Sequence, residues 1–180
     1  VRSLVEPRDL WPAYARHVRS FLDMTSKDGS PRSLKVVIDA SNGMAGTMIP
    51  KVFGKESPIG AAAGLEVIPL HFENSKGIFV HEPNPLVAAN MKWTQEAVVK
   101  NRADMGFCYD GDADRCFAVD EKGQIVGCDH LTVLLGRYFL KDHPGAPVAY
   151  DLRSTRAVEE DLVKAGGRAV RGKVGHVNMK

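Results

Sequence analysis

Short apolar runs of strand length alternate along this chain with stretches whose apolar residues recur every three or four positions. This alternation limits the fold more than any other feature. The runs are Leu34 to Ala40 (LKVVIDA), Leu65 to His71, Asp104 to Tyr109, Pro147 to Asp151 and Arg168 to Arg171. Between them, Val87, Met91, Thr94 and Val98 share one helical face, and Ser154 or Thr155 can cap a helix that stops at Gly166-Gly167. Ahead of the first strand, Asp9 is placed to cap a helix with Leu10, Tyr14, Val18 and Phe21 on one side. Ser41 to Gly46 reads as a strand-to-helix turn, Phe79 to Pro85 as an extended, proline-punctuated stretch, and Cys116 to Val126 as a hairpin turning at Lys122-Gly123. Asp129 can cap another helix, with Leu131, Leu134, Leu135 and Tyr138 as its inner stripe. Strands spaced by helices in this way predict an α/β fold: a mixed, largely parallel sheet with flanking helices, followed by an incomplete second α/β unit. The expected domains are 1–128 and 129–180.

Composition narrows the partners. Of 180 residues, 44% are hydrophobic and 26% charged, as in an ordinary globular chain. A net charge of +2 without a Lys/Arg block gives no argument for nucleic acid. No apolar run is long enough to span a bilayer and no secretory segment opens the chain, so no membrane partner is expected. The three cysteines, Cys108, Cys116 and Cys128, make neither a CxxC pair nor an even set. They read as reduced thiols, and the expected location is cytoplasmic. The chain opens on Val1 and stops at Lys180 just after a loop, as a segment of a longer polypeptide would.

The densest chemistry lies in six residues, Asp110-Gly111-Asp112-Ala113-Asp114-Arg115, directly after the apolar run Met105 to Tyr109. Three carboxylates at i, i+2 and i+4 with the smallest residues between them repel one another. At a separation of about 5 Å and an effective dielectric near 20, each pair costs roughly 3 kcal/mol. A divalent cation removes that cost. Oxygen ligands with no His or Cys among them favour magnesium or calcium over zinc.

Two readings of the loop stay open on the residues alone. In an EF-hand-like calcium loop, Asp110, Asp112 and Asp114 would take positions 1, 3 and 5, Phe117 the apolar position 8 and Glu121 position 12. Against this, position 6 calls for glycine and holds Arg115, and the flanks read as strands. In the other reading the three Asp hold magnesium, with coordination positions left for phosphoryl oxygens, and Arg115 faces a phosphate. A cation beside a guanidinium is the equipment of phosphoryl transfer.

Asp110 to Arg115 resembles the DGD[GA]DR metal loop of the α-D-phosphohexomutases, the family of phosphomannomutase and phosphoglucomutase. Other segments resemble that family in the same order. VVIDASNGMAG (Val36 to Gly46) is similar to the first strand and turn of its second domain, and HEPNP (His81 to Pro85) to its HxPNP loop. YDLRSTR (Tyr150 to Arg156) and GKVGH (Gly172 to His176) are similar to two loops that open its third domain. The resemblance implies a phosphoglucomutase-like fold, with domain two and the start of domain three present. It also implies an isomerase that interconverts hexose 1-phosphate and hexose 6-phosphate through a phosphoserine and a hexose 1,6-bisphosphate. By the same resemblance Asp110, Asp112 and Asp114 hold Mg2+ and Arg115 stabilises the transferring phosphoryl group. Arg153, Lys173 and His176 fall where the family places groups near the sugar. The first of these positions is commonly Lys in the family. Arg stays protonated throughout the physiological range, so Arg153 reads as an electrostatic partner and His176 as the acid/base candidate.

No serine loop of the T-x-S-H-N-P kind, no GExSGH sugar loop and no RxSGTEP-like segment occurs in these residues. The segment is therefore expected to be inactive alone, to need the remaining domains of its parent chain, and to leave the hexose unspecified. Elsewhere, Asn42 to Gly46 reads as a structural turn and His81-Glu82 as part of a rigid packing loop. His17, His71, His130 and His143 have no partner that can be argued from sequence.

Overall fold

The computed structural model describes residues 6–178, in two compact units that meet in sequence at Ile125 and Val126. In the first, α1 (Trp11–Arg19) precedes β1 (Leu34–Asp39), α2 (Ala45–Val52), β2 (Leu65–Leu70), a 3-10 turn at Ala88–Met91 and α3 (Lys92–Asn101). Then come β3 (Met105–Tyr109), β4 (Cys116–Val119) and β5 (Ile125–Val126). The second unit contains α4 (Cys128–Leu140), β6 (Pro147–Asp151), α5 (Arg156–Lys164), β7 (Arg168–Gly172) and a 3-10 turn at His176–Asn178.

The first unit is built on one five-stranded sheet in the order β2-β1-β3-β4-β5. β1 runs parallel to both β2 and β3, while β3 and β4 form an antiparallel pair. The sheet is therefore mixed and largely parallel, with helices making the crossovers that parallel neighbours require. β1 is central, which explains its unbroken apolar sequence. Val37 enters a core with Met91, Val98 and Cys108, while Val36 and Ile38 point the other way onto Ala45 and Ile49. A strand covered on both faces reads as a continuous hydrophobic run instead of alternating. Each aliphatic side chain buried as completely as Val37 contributes about 1.5–3 kcal/mol.

α3 covers one face by an unusually close approach at Gly106. A Cβ there would stand 2.6 Å from Val98 Cγ2 and 2.9 Å from Thr94 Cγ2, so the strand position facing the helix has no side chain. The stripe Met91, Thr94 and Val98 is buried as its spacing predicts, while Val87 is left exposed.

In the second unit β6 and β7 pair in parallel across α5, and the core is Leu140, Tyr150, Val158 and Leu162. Among the described residues, no helix of the chain is long and apolar enough to cross a membrane.

Two helix faces differ from expectation. In α1 the buried residue is Ala15, whereas Leu10, Tyr14 and Phe21 are exposed. Leu10 and Tyr14 instead line an open cavity of about 540 Å3 with Trp11, Met44 and Met48. Asp9 does not cap the helix by convention, because Leu10 holds that position, but its Oδ1 accepts the Trp11 N–H at 3.0 Å. In α4 the buried residues are Gly136 and Leu140, while Leu134, Leu135 and Tyr138 are 57 to 62% exposed. That helix starts at Cys128, and Asp129 lies in its first turn and accepts the Thr155 N–H at 2.9 Å.

Candidate metal centre

The acidic hexapeptide forms the connection from β3 to β4. Asp110 follows the last residue of β3 and is fully buried, whereas Asp112 and Asp114 are exposed. One carboxylate oxygen from each lies within 4.8 Å of the others. The loop is closed by its own ends: Asp110 N–H donates to the Arg115 carbonyl at 3.1 Å, and Arg115 N–H donates to Asp110 Oδ1 at 3.1 Å. Ala113 takes a left-handed φ of 63°, a conformation costly for a residue with a Cβ, and it folds the chain back within the loop.

This closure overturns the EF-hand reading. The loop shuts after six residues and passes directly into β4, with strands and not helices on either side. Glu121, which a twelve-residue calcium loop would bring back to the ion, lies beyond the far end of β4, in the exposed turn before β5. At about 3.3 Å per residue, the four residues of β4 carry it some 13 Å along the sheet.

The donor set suits a hard divalent cation. Arg115 Nε donates to Asp110 Oδ2 at 2.6 Å and to Asp114 Oδ1 at 3.3 Å, so a positive group already draws the carboxylates together. Its terminal nitrogens make no hydrogen bond among the described residues. Burial pushes the Asp110 carboxyl up, but the Arg115 amide and then its charge outweigh this and hold it below the ordinary carboxylate value. The same contact raises Arg115 further, with the Asp110 charge the largest cause. Oxygen ligands alone, one of them buried and ionised, suit a hard divalent cation such as magnesium or calcium.

The turn between β1 and α2 supports this loop from behind. Ser41 and Asn42 are both left-handed, with φ of 48° and 53°. Ser41 Oγ donates to the Tyr109 carbonyl at 2.6 Å and Met44 N–H donates to the Gly111 carbonyl at 2.9 Å. Gly43 makes the approach feasible, since a Cβ there would collide with the Gly111 carbonyl. The turn and the acidic loop thus sit side by side at the carboxyl ends of β1 and β3, where ligands bind in open α/β sheets.

A second polar cluster underlies the turn, and the sequence reading missed it. Asp39, the last residue of β1, is fully buried. Its Oδ1 accepts the Ser41 N–H and meets His71 Nδ1, each at 2.9 Å. Its Oδ2 accepts the Thr94 hydroxyl at 3.4 Å and meets His81 Nε2 at 3.3 Å. His81 Nδ1 lies 2.9 Å from the Glu82 carbonyl, and its ring stacks on Trp93 at 4.8 Å between centroids. The usable signal was register: pairing Asp39 with Leu70 leaves His71 next in line beside it.

The remaining predicted residues belong to the second unit. Arg153 follows β6 and is exposed; its Nε and a terminal nitrogen both donate to Asp151 Oδ2, at 3.1 and 2.6 Å. Those bonds hold the Asp151 carboxyl below its ordinary value and raise Arg153. Lys173 is exposed just after β7, and the backbone of His176 begins the 3-10 turn that follows. Because β6 and β7 are parallel, all three lie in loops at the carboxyl end of this pair.

Comparison with known proteins agrees with this geometry. Residues 12–123 match the family described as phosphoglucomutase/phosphomannomutase, alpha/beta/alpha domain II, and residues 128–180 match alpha/beta/alpha domain III. A phosphomannomutase of Salmonella typhimurium is 37% identical over 169 residues, 93% of this chain and 36% of the relative. A phosphomannomutase/phosphoglucomutase of Pseudomonas aeruginosa is 32% identical over 176 residues, 98% of this chain and 35% of the relative. The chain thus spans about a third of the length of these curated relatives. The crystal structure of a phosphoglucomutase/phosphomannomutase family protein from Burkholderia thailandensis superposes with a TM-score of 0.82 at 29% identity, over 95% of this chain and 34% of that one. The chain belongs to the phosphoglucomutase/phosphomannomutase family, with its two units matching the second and third α/β/α domains.

Proposed function

We propose that this chain is the metal-loop segment of a phosphohexomutase, an isomerase that interconverts hexose 1-phosphate and hexose 6-phosphate through a phosphoserine and a hexose 1,6-bisphosphate. One observation carries the reading: three carboxylates converge within 4.8 Å on a loop that also presents Arg115, in a chain of this family. Asp110, Asp112 and Asp114 would hold Mg2+, which would neutralise charge on the oxygens of the transferring phosphoryl group. Asp110 anchors the set, because its burial and the hydrogen bonds of the loop ends fix its carboxylate. Arg115 reaches Asp110 and Asp114 through Nε, so its terminal nitrogens would remain for a phosphate, which a planar guanidinium can hold at two oxygens. Arg153, Lys173 and His176 would serve the sugar end, with His176 as the acid/base group and Arg153 as an electrostatic partner. The phosphoserine and the remaining sugar contacts belong to other domains of the parent protein, and the location would be cytoplasmic.

Calorimetric titration with MgCl2 tests the metal assignment. The chain should bind one Mg2+ weakly, and Asp112→Asn, at an exposed position, should weaken binding about tenfold or more without lowering the melting temperature. Equal heats from both proteins would refute the site. Conversion of mannose 1-phosphate or glucose 1-phosphate by the 180 residues alone would refute the division of labour between domains.

A further inference from the structure

The buried cluster at the end of β1 sets one carboxylate against two imidazoles, with no Lys or Arg among its hydrogen-bond partners. Asp39 is a carboxylate with no exposed surface, and its partners are the Ser41 amide, the Thr94 hydroxyl, His71 and His81. None of these is a permanent cation, and a buried carboxylate is costly unless its charge is matched. The hydrogen bonding of His81 narrows what can fill the gap beside Asp39. The Glu82 carbonyl can only accept, so His81 Nδ1, 2.9 Å away, carries a proton. A neutral His81 then presents the bare lone pair of Nε2 to Asp39 Oδ2 at 3.3 Å. Two lone pairs facing each other in a dry interior need a proton or a metal ion between them, and the ligand set decides which.

We propose that Asp39, His71 and His81 form a second metal site, for a divalent transition ion of the zinc class, separate from the magnesium loop. The ligand atoms of the three residues lie within 4.8 Å of one another. Around a tetrahedral zinc with bonds of about 2.0–2.1 Å, neighbouring ligand atoms stand about 3.3 Å apart. His71 Nδ1 stands 2.9 Å from Asp39 Oδ1 and His81 Nε2 stands 3.3 Å from Asp39 Oδ2, so the carboxylate bridges the two rings. Side-chain shifts that bring both nitrogens to one oxygen, or to both, would admit the ion. Two imidazoles and a carboxylate suit zinc, cobalt or iron and are a poor set for magnesium. His81 also has the outer support of a metal-ligating histidine: its other ring nitrogen donates to a backbone carbonyl. His71 is held with a left-handed φ of 51°, a strained conformation of the kind found at ligand clamps, and its side chain is 16% exposed, which gives the ion an entry.

This site stands independently of the proposed activity, and its consequence would pass through Ser41. The Ser41 amide bonds Asp39 and its hydroxyl bonds the Tyr109 carbonyl just before Asp110. An ion on Asp39 would therefore stiffen the turn that supports the acidic loop.

Trp93, stacked on His81, provides the test. The 180-residue chain is titrated with CoCl2 in several millimolar MgCl2, which occupies the acidic loop, while tryptophan emission and visible absorption are recorded. One equivalent should bind with visible bands of a four- or five-coordinate cobalt site and quench part of the emission, and ZnCl2 should reverse both. His71→Gln and His81→Gln should each weaken cobalt binding at least tenfold. Trp93→Phe should abolish the quenching but not the binding, and Asp112→Asn should change neither. Should His81→Gln fail to fold, His71→Gln and the histidine 15N shifts of the parent chain decide the matter. Absence of stoichiometric binding, binding unchanged in His71→Gln, competition by magnesium, or a doubly protonated His81 without metal would each overturn the proposal. None of those results would bear on magnesium binding at Asp112.

Discussion

Asp110 ties the acidic loop together through its hydrogen bonds with the Arg115 amide and guanidinium. It is buried and ionised, and its carboxylate is held below the ordinary value. A carboxyl whose folded pKa is depressed stabilises the fold fully above the unfolded value near 3.9 and loses that contribution as pH falls through the folded value. Asp110→Asn should therefore melt several degrees below the parent at pH 7, with the difference closing below about pH 4. Thermal melts of both proteins across pH 3 to 8 would show it. Cys108 behaves oppositely. Burial, then the Asp39 charge, push its thiol up to about 11, so it is neutral at physiological pH. Titration of the native chain with a thiol reagent should modify the exposed Cys116 and Cys128 readily and Cys108 only on unfolding. The residues of the acidic loop were legible in sequence because their chemistry is contiguous. Asp39, His71 and His81 were not, since 32 and 42 positions separate the histidines from the aspartate.

At the scale of elements, two glycines separate support of the site from support of the fold. At Gly106 a Cβ would press on Val98 and Thr94 in the interface between α3 and β3. Gly106→Ala should cost about 1–3 kcal/mol of stability, typical of overpacking, measurable by denaturant unfolding. At Gly43 the obstacle is the Gly111 backbone within the acidic loop. Gly43→Ala should displace that loop and reduce Mg2+ affinity severalfold in calorimetry, with a smaller effect on stability. The strands were readable because a central parallel strand must be apolar throughout. The helical faces were readable only in part. Most of the α3 stripe met the sheet, but Leu10, Tyr14 and Phe21 around α1 and Leu134, Leu135 and Tyr138 of α4 are exposed, and Ala15, Gly136 and Leu140 are buried instead. Periodicity identifies an apolar face; it does not say whether the same unit supplies a surface to cover it.

For the whole molecule, stability is expected to be uneven. The first unit has a five-stranded sheet with a core on each face, whereas the second has two strands and one small core. Two strands and about fifty residues are marginal for independent stability, and α4 leaves Leu134, Leu135, Tyr138 and Phe139 exposed. Hydrogen exchange should therefore show β6 and β7 opening at least tenfold more readily than β1 and β3. The opposite order would mean that the second unit draws its stability from elsewhere. The sequence by itself determined the alternation of strands and helices, the class of sheet and the acidic loop, because each is encoded in neighbouring residues. Only the tertiary structure decided the six-residue closure that excludes an EF-hand, the Gly43 turn beneath the loop and the meeting of Asp39 with two histidines. Those depend on parallel pairing across helical crossovers, which brings together residues that no local spacing connects.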